Sequence, residues 1–172
     1  MRSTIIVICF LLSMGALNAQ DKHTGVRVGY QSSVMMKDSH KYGSHGDGFY
    51  AAFYRDTKVL PFFFFNAGME YSRVTTEIEK QDYKLDYLGI PLALKLKLGP
   101  IFAQGGAAIN FKLNEIGNPF DDKAEWFDTN AFVGAGLSFF MLNVEAKYLW
   151  GLTEVHNGIK NNGLQLGIGL RF

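Results

Sequence analysis

Apolar residues recur at every second position along most of the chain, and no apolar run after the first twenty residues approaches the ~18 that a membrane-crossing helix needs. Leu164, Leu166, Ile168, Leu170 and Phe172 alternate with Gln165, Gly167, Gly169 and Arg171. Val144, Ala146, Tyr148 and Trp150 alternate with Asn143, Glu145, Lys147 and Leu149, and six residues from Leu88 to Leu98 alternate with Gly89, Pro91, Ala93, Lys95 and Lys97. Softer alternation covers 24–34, 47–56, 62–74, 101–112 and 128–139. A period of two is that of a strand with two unlike faces. Eight such segments, each about 9–11 residues long, match what a tilted transmembrane strand requires.

The connections sort by length. Long or medium polar stretches at 35–46, 75–82, 113–127 and 151–162 alternate with short turns at 57–61, Gly99-Pro100 and Phe140-Met141. That rhythm puts the long loops on one rim of a closed barrel and the tight turns on the other. Across the two shortest turns the flanking pairs, Leu98 with Ile101 and Phe139 with Leu142, are both apolar, as a two-residue hairpin demands. The second stripe of each strand carries Gly89, Gly106, Gly134, Gly136, Gly167 and Gly169 with isolated charges, and only 19% of the chain is charged. A soluble barrel would coat its outside with Lys and Glu; small residues and sparse charge suit a narrow lumen, with the apolar stripe facing lipid. Aromatic residues gather toward strand ends: Tyr83, Trp126, Phe127, Tyr148 and Trp150 toward the long-loop rim, and Phe62 to Phe65, Phe102, Phe139, Phe140 and Phe172 toward the other. They are expected to form two interfacial girdles.

The N-terminus reads as an export signal. Arg2 precedes the apolar run Ile5 to Leu12, and Ala16-Leu17-Asn18-Ala19 ends in a small residue, so cleavage is expected after Ala19. The expected organisation is a signal peptide at 1–19 and one domain at 20–172: an all-β, eight-stranded, antiparallel up-and-down transmembrane β-barrel. Losing Arg2 takes the 17 basic residues to 16, against 16 acidic, which leaves no electrostatic footprint for nucleic acid. The only cysteine, Cys9, lies inside the apolar run, so disulfides, Cys-zinc sites and thiol catalysis are excluded from the processed chain.

Two further signals bear on family. The ending Q-L-G-I-G-L-R-F places Gln165, Gly167, Leu170 and the final Phe172 where barrels carry the C-terminal signal read by the barrel-assembly machinery. The stretches Y-L-G-I-P-L-A-L-K-L-K at 87–97 and V-E-A-K-Y-L-W-G-L at 144–152 resemble the PorT-type outer-membrane β-barrel domain of Bacteroidota, a family of small porin-like barrels. The resemblance covers essentially all of 20–172. It implies export and architecture, and no catalytic residue.

Chemistry is sparse. His40, His45 and Asp47 could read as a metal site, but a Gly-Ser-rich loop fixes no geometry and a further ligand is missing. A lipid-modifying enzyme would need a Ser, a His and an acid converging at one height. Ser138 falls near the tight-turn rim and Ser72 has no histidine in register, which leaves Ser32, Ser33, Ser39 or Ser44 with His40 or His45. His23 and His156 read as solvated residues, and the G-x-G pairs at 134–136 and 167–169 lie within strands, not before a helix. The expected protein is therefore not an enzyme and takes no cofactor or metal. It is a monomer in outer-membrane lipid, with periplasmic termini and outward loops that meet an unknown extracellular ligand or protein. Two rivals stay open: a membrane-embedded lipid-modifying enzyme and a secreted lipocalin-like carrier. The inward stripe is expected to hold a structural charge cluster of Arg27, Glu70, Lys95, Glu145, Lys147 and Arg171, with each glutamate within reach of a base. Lys97 and Lys112 share that stripe, Lys112 near the outer rim.

Overall fold

The computed structural model describes residues 22–37, 40–41, 46–78, 81–117, 126–153 and 159–172. Every element among the described residues is a strand: β1 (Lys22–Lys37), β2 (His40–Lys41), β3 (Gly46–Leu60), β4 (Phe63–Ile78), β5 (Gln81–Leu98), β6 (Ile101–Ile116), β7 (Phe127–Phe139), β8 (Leu142–Gly151) and β9 (Ile159–Arg171). Eight long strands pair antiparallel with their sequence neighbours, and β1 also pairs with β9, so the sheet closes. The two-residue β2 pairs only with the end of β1, Met36 facing Lys41. At the seam the amide of Phe172 donates to the carbonyl of Thr24 at 2.8 Å, and the amide of Thr24 donates back at 3.2 Å. Closure leaves no unpaired edge, the condition for strands to cross lipid.

The expected hairpin pairs occur: Leu98 opposes Ile101 and Phe139 opposes Leu142. The first tight turn is shorter than 57–61. β3 runs on to Leu60, and only Pro61-Phe62 lies between the strands, with a bulge between Lys58 and Leu60. Gly99 turns at φ 61° and needs no Cβ there; Phe140 holds φ 49° in the equivalent place. The long-loop side is corrected more. β4 continues to Ile78 and β5 starts at Gln81, which makes most of 75–82 strand, and β6 continues to Ile116. Strands of up to 18 residues exceed the ~9–11 needed to span lipid. They project past the membrane, where no lipid face imposes an apolar stripe.

The faces are inverted relative to a soluble barrel. Val144 is 53% exposed and its neighbour Glu145 3%; Ile168 is 58% exposed and Gln165 1%. Leu92, Leu94, Tyr148 and Leu166 also point outward. An aliphatic exterior of this extent is stable against hydrocarbon, not water, and this removes the lipocalin-like carrier. The interior core is aromatic as well as polar: Tyr50, Tyr54, Tyr87, Phe102 and Phe132 are buried. Phe102 is thus corrected from the tight-turn girdle to the lumen. Phe64, opposite Lys95 in register, takes the lumen face too. Tyr50 lies across the glycine pair Gly29 and Gly167, which face each other on β1 and β9. A Cβ on Gly167 would meet Tyr50 Oη at 1.9 Å, and one on Gly29 would meet its ring at 2.5 Å. Glycine is what lets the ring lie flat on the wall.

Candidate functional site: the lumen and its two rims

At mid-height, charges carried on β1, β4 and β8 meet inside the lumen. Arg27 on β1 reaches Glu145 on β8 at 2.9 Å. Lys147, two residues along β8, bridges Glu145 at 3.5 Å and Glu70 on β4 at 3.3 Å. Gln165 on β9 donates to Glu70 at 2.7 Å and to Gln31 at 2.9 Å, and Gln104 on β6 donates to Glu145 at 3.2 Å. Aromatic rings line the same level: the Arg27 guanidinium sits 4.4 Å from the Tyr54 ring centre, and Lys147 lies 5.0 Å from that of Tyr50. Arg27, Glu145 and Lys147 are all buried. Isolated buried charges are costly, whereas a paired and hydrogen-bonded set is tolerated and rigid. The result is a polar plug that crosses the lumen. This is a small filled barrel and not a wide pore.

Of the six charged residues read from the sequence, four join this network: Arg27, Glu70, Glu145 and Lys147. Lys95 stands apart, paired with Asp56 at 2.8 Å and stacked 4.8 Å from the Phe102 ring. Asn66 donates to the same Asp56 at 2.6 Å. Arg171 lies lower still. Its guanidinium donates to the Phe140 carbonyl at 2.8 Å and to Ser138 Oγ at 3.3 Å, which Lys97 also approaches, at 3.4 Å. Lys112 pairs with Glu115 at 2.5 Å, across a register shift between Asp86 and Tyr87 on the facing strand. The expected charge cluster leaves out one lumen acid, Asp56, although it lies within the 47–56 segment and shares the parity of Ala52 and Tyr54, all three buried.

The C-terminal signal residues divide by face. Gln165 and Gly167 point inward, into the network and beneath Tyr50, whereas Leu170 and Phe172 are exposed on the outside. Toward the long-loop rim, the outer surface carries a bidentate pair, Arg73 to Asp86 at 2.6 and 2.9 Å, and a hydrogen bond from Tyr30 to Asp47. Trp126 stacks on Phe111 with ring centres 6.0 Å apart, and Tyr148 meets Trp150 edge-on at 4.7 Å. Aromatic rings and polar pairs that gather together toward this rim mark a membrane interface.

Among the described residues no group of three His, Cys, Asp or Glu side chains could hold a metal. Asp47 is engaged by Tyr30, and the side chains of His40 and His45 lie outside the described residues, as do Ser39, Ser44 and His156. Ser138 is approached by two cations and no histidine, Ser72 and Ser33 are buried in the lumen, and Ser32 lies on the opposite face from Ser33. No base–nucleophile pair forms among the described residues.

A closed antiparallel barrel with an apolar exterior, interfacial aromatics and a plugged polar interior defines an integral outer-membrane β-barrel. The model of the outer membrane protein beta-barrel domain family matches residues 18–157, and the chain belongs to that family. The match ends before the closing strand β9. A search of curated proteins gave no match. Among solved structures, Ail, the attachment invasion locus protein of Yersinia pestis, is similar at 18% identity with a TM-score of 0.56, covering 88% of this chain and 99% of Ail. That structure holds the heparin analogue sucrose octasulfate. Neisserial surface protein A is similar at 13% identity and TM-score 0.60, covering 87% and 97% respectively. At these identities the likeness is one of fold.

Proposed function

We propose that this barrel is a non-enzymatic interaction protein, monomeric in the outer membrane, that presents residues 35–46, 75–82, 113–127 and 151–162 to a ligand or partner protein outside the cell. The observation that carries this is the plug: Arg27, Glu145, Lys147 and Glu70 close the lumen at mid-height, so the work falls to the rims. The Tyr87-Leu88-Gly89-Ile90-Pro91-Leu92 strand and the Glu145-Ala146-Lys147-Tyr148 segment support a PorT-type barrel of Bacteroidota. The family match starting at residue 18 supports a signal peptide ending at Ala19. The tight turns and both strand ends at the seam share one rim, which supports periplasmic termini. Gln165, Gly167, Leu170 and Phe172 are the residues offered to the barrel-assembly machinery.

The test replaces, in each of the four segments, only the residues between the strands by a short Gly-Ser turn and measures adhesion of the expressing cells to an array of extracellular-matrix proteins and glycans. Binding above the level of empty cells that disappears with one loop, at unchanged outer-membrane abundance, is the expected result. Adhesion that is indifferent to all four loops would overturn the reading, as would stable ion conductance of the purified barrel in a planar bilayer.

A further inference from the structure

At the tight-turn rim two cations share one neutral oxygen. Lys97 Nζ lies 3.4 Å from Ser138 Oγ, and Arg171 Nη1 lies 3.3 Å from the same atom. The turns fix these positions. Lys97 is the penultimate residue of β5, and its amide is held by the carbonyl of Phe62 at 2.8 Å; Ser138 precedes the Phe140 turn, and its amide is held by the carbonyl of Pro100 at 2.6 Å. Arg171 is anchored on the Phe140 carbonyl at 2.8 Å, and its own amide donates to Met141 at 2.7 Å. Among the described residues neither Lys97 nor Arg171 has a carboxylate in ion-pair range. The neighbouring acid, Asp56, is engaged by Lys95 at 2.8 Å and by Asn66 at 2.6 Å. The plug above, by contrast, balances its charges pair by pair. Two cations converging at the half-buried mouth of a narrow barrel repel one another unless an anion joins them. The hydroxyl between them has a proton to donate to that anion.

We propose that Lys97, Arg171 and Ser138 form a binding site for a phosphate-class oxyanion at the periplasmic mouth of the barrel. The arginine supplies a planar fork, the lysine a point charge and the serine a hydrogen-bond donor, the donor set that suits a tetrahedral oxyanion. The same chemistry is offered by free phosphate and by the phosphodiester of an inner-leaflet phospholipid. The site itself follows from the geometry, and only its periplasmic address rests on the topology proposed above.

Binding is read from the side-chain Nε–Hε resonance of Arg171 in the full processed chain, in two arms. One arm titrates inorganic phosphate against the barrel in dodecyl maltoside micelles at constant ionic strength set with chloride. The other compares nanodiscs of phosphatidylglycerol at increasing content, without free phosphate. A saturable shift in either arm is expected, weakened at least about tenfold in Lys97→Met and kept in Lys97→Arg; the arm that responds names the source. Lys97→Gln serves as a second, more polar variant with the same expected loss. No saturable shift in either arm, a response equal to that of chloride, or a shift unchanged in Lys97→Met and Lys97→Gln would overturn the site. A loop-swap experiment that failed would leave this result untouched, since no residue of the site lies on a long loop.

Discussion

A methyl group on Gly167 would stand 1.9 Å from Tyr50 Oη and 2.9 Å from its Cζ. This glycine therefore does packing work whether or not assembly factors also read it, and a double substitution separates the two roles. Gly167→Ala should destabilise the barrel by about 1–3 kcal/mol through overpacking, measured by urea unfolding in micelles. Tyr50→Phe in the same background removes the closest atom and should restore part of the loss. An unchanged unfolding midpoint in Gly167→Ala would mean that the glycine matters to recognition alone, and no recovery in the double variant would refute the clash with the Tyr50 hydroxyl. Glu145 is the other telling position, because it faces Arg27 and Lys147 together. Truncation to Ala leaves two buried cations short of their counterion and should cost about 3–5 kcal/mol. Glu145→Gln keeps the shape and one oxygen that can accept from Gln104 but loses the charge, so it should unfold at a urea concentration between those of Glu145→Ala and the parent.

Among the elements, β9 has two tasks. It pairs with β8 on one side and β1 on the other, and it carries the outward Leu170 and Phe172. Deleting Phe172 should leave export across the inner membrane intact but strand the chain in the periplasm, seen by cell fractionation and by loss of heat-modifiable gel mobility. Normal outer-membrane levels of the shortened chain would refute the assembly role. The strands were legible in the sequence wherever one face meets lipid, as in β5, β8 and β9, because a lipid face must be apolar at every second residue. Legibility failed for two physical reasons. In β6 the outward Ala103, Gly105 and Ala107 are small and weakly apolar whereas the inward Phe102 is large and apolar, so the parity was hard to see; the turn pair Leu98–Ile101 already implied that Phe102 points inward. Toward the long-loop rim, the consecutive Leu113 and Asn114 are both exposed and the alternation lapses, although the hydrogen-bonded ladder goes on there and at Thr75–Ile78. The mid-lumen charges were readable as a stripe, but their partners were not: that Lys95 meets Asp56 and not a glutamate depends on tilt and stagger around the closed sheet.

For the molecule as a whole, the single cysteine, Cys9, lies in the proposed signal peptide, so the orientation can be measured by introducing one. Trp126→Cys lies at the long-loop rim and Met141→Cys in a tight turn, and both native side chains are exposed. A membrane-impermeant maleimide applied to intact cells should label the first and spare the second, with the pattern reversing only after the outer membrane is opened. Labelling of Met141→Cys alone in intact cells would invert the proposed topology and move the phosphate-class site to the cell surface.

The reciprocal hydrogen bonds between Thr24 and Phe172 make the seam geometrically equivalent to any other strand pair. The barrel is in this sense a ring, and its beginning is a matter of synthesis, not of shape. Joining the two ends through a short linker and opening the chain at Gly99-Pro100 would leave every strand neighbour in place. Such a permuted chain would carry Gln165 to Phe172 in its interior and finish on Leu98 instead. Closure of the ring and the proposed delivery signal, which the natural order of the chain puts in one strand, would then be separated, and each could be varied by itself.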